Sequence, residues 1–364
     1  YLHTGSGVMV TGSHNPPQYN GLKMVLKGET LAEGDIQALR RRIETQDYTQ
    51  GSGSLRQQDL VSDYIHTIVS DVRPARGLKL VVDCGNGVAG DVAPQLLRAL
   101  GCEVIELFCE VDGTFPNHHP DPTVPENLED AIRAVRTYGA DLAVAFDGDA
   151  DRIGVVDDVG EIVWGDHILI LYARDVLART GKGQPIIFDV KCSQALPHAI
   201  EAAGGRAVMW KTGHSLIKEK MKELHAPIAG EMSGHMFFTE GFYGHDDALY
   251  GAARLLRIVA ESGRSVRELL ADVPKFVSTP EIRIEVPEEL KFGLVEKAVA
   301  HFRSKHDVID VDGVRVLFGD GWGLIRASNT QPVIVARWEA RSAERLAQIR
   351  GEMEAWLRAQ GVKV

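Results

Sequence analysis

The pattern that most constrains this chain is a strand, loop, helix, strand order that occurs twice. Leu78 to Val82 is an apolar run suited to a buried strand, and Cys84-Gly-Asn-Gly87 punctuates it. Ala93 to Ala99 then has helical spacing, and Glu103 to Phe108 reads as the next strand. The order returns at Ile186 to Asp189, through a helix ending near Ala203 and Gly204-Gly205, to Ala207 to Trp210. Placing Asp83 on Asp189 aligns the two stretches with a small gap. That suits a duplicated β-α-β module, or two independent units built alike. Either way the class is α/β.

The tail differs. Strands are expected around Glu281 to Val286, Val314 to Phe318, Gly323 to Ala327 and Val333 to Trp338. Ser342 can cap a closing helix whose Leu346, Ile349, Met353, Trp356 and Leu357 share one face, ending at Gly361. With Gly51-Ser-Gly-Ser54 as a flexible link, four pieces result: 1–56, 57–158, 159–274 and 275–364.

Charge narrows the partners. Lys plus Arg number 40 against 51 Asp plus Glu, a net −11. That balance argues against nucleic acid and anionic membranes, which demand a basic face. A small anion remains open, because a few local cations can dominate one site. No apolar run approaches the roughly 18 residues of a membrane span. Cys84, Cys102, Cys109 and Cys192 show no CxxC spacing, so reduced thiols and a cytoplasmic setting are expected.

The strongest chemical signal is Asp147-Gly-Asp-Ala-Asp-Arg152, between the apolar runs Leu142 to Phe146 and Ile153 to Val156. Carboxylates at i, i+2 and i+4 in a loop between strands can converge on one hard cation, and would otherwise repel one another. An EF-hand would need Gly and Glu where Arg152 and Asp158 stand, and helices outside. Mg²⁺ with an open position for a phosphate oxygen is the better fit, with a solvated acidic turn as the rival.

Three further loops are weak singly. Thr11-Gly-Ser13-His-Asn-Pro-Pro17 puts a serine on a rigid turn, with Lys23 a few residues on and His14 as a possible brace. It lacks the GxSxG elbow of an esterase. Gly230-Glu-Met-Ser-Gly-His235 offers a carboxylate, a hydroxyl and an imidazole, the groups that pair with sugar hydroxyls. Arg326-Ala-Ser-Asn-Thr-Gln-Pro332 offers a guanidinium fork and neutral donors for a phosphate that does not react. Lys191 and His214 end strands of the second module.

Taken together and in this order, these loops resemble the α-D-phosphohexomutase family, most closely its bacterial branch acting on mannose and glucose phosphates. The resemblance implies three similar mixed α/β domains and a C-terminal α+β domain of TATA-box-binding-protein type around a central cleft. The first domain would be truncated at its N-terminus, since family members carry roughly a hundred more residues before the serine loop. It implies reversible phosphate transfer between C1 and C6 of hexose phosphates, through a phosphoserine and a glucose or mannose 1,6-bisphosphate. By resemblance Ser13 is that serine, and Asp147, Asp149 and Asp151 bind Mg²⁺ with it. Arg152 would neutralise the transferring group, while Lys23 and His235 move the hydroxyl proton. Glu231 and Ser233 would hold the sugar 3- and 4-hydroxyls. Arg326, Ser328, Asn329 and Thr330 would hold the distal phosphate, assisted by Lys191 and His214. A hinge at 273–280 would let the last domain move. A monomer with small-molecule hexose phosphates as its partners is expected. The alternatives are a phosphoglucosamine mutase of the same family, a non-catalytic sugar-phosphate binder and a phosphatase.

Overall fold

A computed structural model describes every residue except 1, 14, 16, 17, 32, 33, 75, 329 and 330. The chain forms two compact units, residues 1–164, 233–236 and 245–268 in the first, and 165–232, 237–244 and 269–364 in the second.

In the first unit a five-stranded sheet runs in space Glu103–Leu107, Lys79–Asp83, Leu142–Phe146, Ile153–Val156, Ile162–Val163. The first three strands are parallel and the last two join antiparallel. Leu142–Phe146 is buried along its whole length, as a continuous apolar run must be when both faces are covered. The helix Glu129–Tyr138 turns Ala131, Ala134 and Val135 onto this sheet and stops at Gly139, whose φ of 59° is left-handed. A separate antiparallel sheet of Gly7–Val10, Leu22–Leu26 and Glu29–Thr30 carries the serine loop between its first two strands.

Chain order and packing part at two places, residues 233–236 and 245–268. The helix Ala248–Ser262 belongs to the first unit although its sequence neighbours lie in the second. Tyr64 donates to Asp247 at 2.8 Å and Tyr250 to Asp71 at 2.6 Å, tying it to the helix Val61–Asp71.

The second unit holds a sheet ordered Arg206–Trp210, Pro185–Asp189, Ile228–Gly230, Met236–Phe238. Its central strand Pro185–Asp189 has a parallel neighbour on each side, as Lys79–Asp83 has in the other unit. Asp83 and Asp189 therefore end equivalent strands, and the module aligned in sequence is repeated in three dimensions. The last sheet is antiparallel, with Asp307–Ile309, Val314–Leu317, Gly321–Ala327 and Val333–Ala340 in spatial order. The short strands Val277–Ser278 and Ile282–Glu285 share the outer edge of Val333–Ala340. Ser342 caps the helix Ala343–Ala359 by accepting from the Arg345 amide, and Ile349, Met353 and Leu357 enter the core as the spacing predicts. Gly321–Ala327 and Val333–Ala340 both run two residues longer than the sequence pattern indicates. Gly321 pairs with Ala340 and Trp322 with Glu339, extending the ladder by two pairs.

Candidate active site

The serine loop is held by its own hydrogen bonds. The Thr11 amide donates to the Gly21 carbonyl at 3.0 Å and the Asn15 amide to the Gly12 carbonyl at 2.9 Å. The Ser13 amide donates to Thr11 Oγ1 at 2.8 Å, and Ser13 itself sits at φ 52°. A non-glycine residue in the left-handed region is strained, and here the loop's own bonds hold it there. Ser13 Oγ donates to Asp147 Oδ2 at 3.1 Å, while Thr11 Oγ1 donates to Asp149 Oδ2 at 2.8 Å.

Asp147, Asp149 and Asp151 each bring one oxygen within 4.8 Å of the others. Burial and the neighbouring Asp151 charge push Asp147 well above the usual carboxylate range, with Arg152 opposing. Burial would raise Asp151 too, but His235 and Lys23 hold it well below that range. The Lys23 ammonium contacts Asp149 at 2.9 Å and also Asp151. Burial disfavours its charge, yet the two carboxylates raise it above an ordinary lysine. Asp149 Oδ1 is buried without a hydrogen-bond partner. Lys23, with Arg152 3.9 Å from Asp147 and His235 3.1 Å from Asp151, faces three buried carboxylates of which one oxygen has no partner, and an all-oxygen set suits Mg²⁺. The residues present fit that ion.

Arg152 and His235 meet through an isolated bridge between their backbones. His235 Nε2 stands 3.1 Å from Asp151 Oδ1 and 3.3 Å from Arg152 Nε. Protonated, that nitrogen donates to the carboxylate; unprotonated, it accepts from the guanidinium. Ser233 Oγ lies 3.1 Å from His235 Nδ1, and Asp121 is 4.0 Å from Arg152.

The other candidates lie in the second unit. Lys191 contacts Glu281 at 3.1 Å and Asp189 at 3.7 Å. Burial would raise Glu281, but Lys191 holds it down to about 2. Glu231 is buried and accepts from the Gly213 amide at 2.6 Å, just before His214 begins the helix His214–Leu224. Arg326 donates to Asp312 at 2.9 Å, and the Ser328 hydroxyl accepts from the Gln331 amide at 3.2 Å. Asn329 and Thr330 lie outside the described residues, as does His14.

Within the first unit, then, Ser13, Lys23, the three aspartates, Arg152, Ser233 and His235 come together. Lys191, His214, Glu231, Arg326 and Ser328 fall in the second. Sequence reasoning missed Thr11, Asp121, Asp189, Glu281 and Asp312, the carboxylates and hydroxyl that hold these groups. Of these, Thr11 was visible as the first residue of the serine loop, Glu281 as the start of a strand and Asp189 as the residue that aligns with Asp83, but none of them as a partner of these groups.

Four family models describing phosphoglucomutase/phosphomannomutase domains I, II, III and C-terminal match residues 1–50, 62–160, 164–276 and 281–355. The chain is 54% identical over 359 residues to a phosphomannomutase/phosphoglucomutase of Pseudomonas aeruginosa, covering 98% of this chain and 77% of that one. A phosphoglucomutase of Neisseria meningitidis is 47% identical, covering 96% of this chain and 77% of its own. A crystal structure of a phosphoglucomutase/phosphomannomutase family protein from Burkholderia thailandensis superposes with a TM-score of 0.90 at 48% identity, over 97% of this chain and 76% of that one. With the serine beside its three aspartates and all four domain models in order, this chain belongs to the phosphoglucomutase/phosphomannomutase family.

Proposed function

We propose that the chain reversibly moves phosphate between C1 and C6 of glucose and mannose phosphates, with Ser13 as the phosphoryl carrier. One observation carries the reading: the Ser13 hydroxyl is held on Asp147 at the edge of three converging carboxylates suited to a hard cation.

Asp147, Asp149 and Asp151 would hold Mg²⁺ together with an oxygen of the Ser13 phosphoryl group, and the ion would supply charge to the transferring group. The chain's own residues do the rest. Arg152 adds a second cation, and phosphoryl transfer depends mainly on such positioning and electrostatics. Lys23 and His235 would be the groups that move the proton of the attacking sugar hydroxyl. Glu231 and Ser233 read the 3- and 4-hydroxyls. Those hydroxyls exchange places when the sugar turns end for end, so one pair of readers serves both orientations. Lys191, His214, Arg326 and Ser328, with Asn329 and Thr330, hold the phosphate that is not reacting. A glucose or mannose 1,6-bisphosphate is the intermediate that turns around.

Action as a cytoplasmic monomer, without nucleic-acid or membrane partners, belongs to the same reading. The net charge of −11 and the four free cysteines support it, and among the described residues no helix is long and apolar enough to cross a membrane.

Ser13→Ala in a coupled mutase assay, with intact mass measured in parallel, tests the nucleophile. Loss of a stoichiometric phosphate and a fall in turnover of about a hundredfold or more are expected. Unchanged turnover refutes it. Reading only O3 and O4 leaves C2 unread, so kcat/KM on glucose 1-phosphate and mannose 1-phosphate should be comparable. Activity confined to glucosamine phosphate would instead mark a phosphoglucosamine mutase, and net phosphate release a phosphatase.

A further inference from the structure

Arg326 does not stand alone. Its Nε donates to Asp312 Oδ2 at 2.9 Å, and the Thr212 amide donates to the same oxygen at 3.0 Å. The next amide, Gly213, donates to Glu231 Oε1 at 2.6 Å. Two successive N–H groups of one short loop thus reach the carboxylate behind the phosphate reader and the carboxylate that reads the sugar. Thr212 is fixed from a third side, since its hydroxyl donates to the buried Asp189 at 3.2 Å. Asp189 in turn accepts from the Met232 amide at 3.1 Å, next to Glu231.

The backbone around Asp312 is built for this contact. Gly313 has a φ of 80°, and a β-carbon there would lie 2.7 Å from Arg326 Cα and Cβ. Only glycine lets the turn lie directly on the Arg326 backbone, which puts Asp312 beside the guanidinium. A guanidinium carries five N–H donors. Anchoring Nε to Asp312 fixes the plane of the fork and leaves the two terminal nitrogens to grip a phosphate bidentately.

We propose that Asp312 is a positioning residue that sets the Arg326 fork for phosphate and couples it, through Thr212 and Gly213, to the hydroxyl reader Glu231. The inference rests on the reading of Arg326 and Glu231 as substrate-binding groups. Its consequence is that phosphate and hydroxyl recognition are not independent. A phosphate that draws on Arg326 pulls on Asp312, and Asp312 holds the loop whose next amide holds Glu231. Contacts within one hydrogen-bond network couple in this way.

The opposite role is also concrete. A carboxylate beside an arginine can simply compete with phosphate for it, and its removal would then tighten binding.

The experiment is steady-state kinetics on glucose 1-phosphate with glucose 1,6-bisphosphate as activator. Asp312→Ala, Asp312→Asn, Arg326→Ala and Glu231→Gln are compared singly, together with the Asp312→Ala/Glu231→Gln double variant. Asp312→Ala should raise KM about tenfold with kcat changed less than about threefold, and Asp312→Asn should recover part of the loss. The double variant should lose less than the product of the single losses, by a factor of about five. A KM for Asp312→Ala that is unchanged or lower, while Arg326→Ala raises it, overturns the proposal and leaves the site reading intact. A KM unmoved by Arg326→Ala overturns the site reading itself. Should Asp312→Ala fail to fold, the isosteric Asp312→Asn carries the same KM comparison with Arg326→Ala and the same coupling measurement with Glu231→Gln.

Discussion

The carbonyl oxygen of Ser13 occupies the space where a side chain on Gly148 would begin. That oxygen is too close for any real β-carbon, and the Ser13 carbonyl carbon would stand 3.0 Å away, tighter than nine in ten real contacts. On its other side Gly148 is backed by the loop after the strand Lys79–Asp83: its carbonyl accepts from Val88 at 3.2 Å, and Gly87 packs against it. The residue inside the aspartate motif thus sets how near the serine comes to the carboxylates.

Gly148→Ala is therefore expected to disable the site without touching any reacting group. The serine loop must retreat, because backbone rather than a flexible side chain blocks the new methyl. A displacement of about an ångström can cost a hundredfold in rate. A fall in kcat of at least tenfold, with a smaller loss of thermal stability, is the expected outcome. Near-wild-type kcat would show that this contact does not set the geometry.

The unpartnered Asp149 Oδ1 leads to a second prediction. Removing divalent cations with a chelator should abolish turnover, and Mg²⁺ should restore it. Asp149→Asn removes one charge from the three converging carboxylates. It should raise the Mg²⁺ concentration needed for half-activity about tenfold to a hundredfold. Activity that survives chelation, or an unchanged Mg²⁺ requirement in Asp149→Asn, would exclude this carboxylate as a ligand.

What the sequence revealed and what it hid divide along a physical line. Asp147, Asp149 and Asp151 were legible because three close carboxylates are costly unless something balances them, and Ser13 because prolines and glycine mark a rigid turn. The strands were legible where they are apolar throughout, as at Leu142–Phe146. Asp312 was not, because an Asp-Gly pair is ordinary turn chemistry, and its partner Thr212 lies 100 positions away. The placement of Ala248–Ser262 in the first unit was likewise invisible. It depends on Tyr64 meeting Asp247 across 183 positions, which no local spacing encodes.

Arg315 supplies a third prediction. It is fully buried, stacks 3.7 Å over the Trp322 ring, and donates to the carbonyls of Val190 and Cys192 at 2.7 Å each. Arg337 donates to the carbonyl between them, that of Lys191. The turn carrying Lys191 is thus held by the last sheet, and a hinge at 273–280 works only by breaking these bonds. Burial pushes Arg315 down to about 10, the cost of enclosing the charge, and its bonds to the turn offset it. Arg315→Met should lose about 2–5 kcal/mol of stability, because buried carbonyls are left unmet. Arg315→Lys keeps the charge but not the fork, and should stay folded with a raised KM for the hexose phosphate. Unaltered KM in a folded Arg315→Lys protein would show that Lys191 does not depend on it.

The last prediction concerns pH. His118 Nε2 lies 3.0 Å from Asp83 and its Nδ1 3.0 Å from the His119 carbonyl, so both ring nitrogens face acceptors. Only the imidazolium can donate to both. Burial alone would lower its pKa, but the Asp83 bond and charge outweigh that and raise it above the ordinary 6.5. A group whose folded pKa is raised stabilises fully below its unfolded value, and the contribution fades as pH climbs through the folded value. The melting-temperature difference between wild type and His118→Gln should therefore be largest near about pH 5.5 and shrink toward about pH 9. The loop from Phe115 to Asp121, which His118 ties to the end of the strand Lys79–Asp83, should show the same trend in amide exchange. A difference that stays constant or grows with pH would mean that neutral His118 packs as well as the cation, and that the ion pair with Asp83 contributes nothing to the fold.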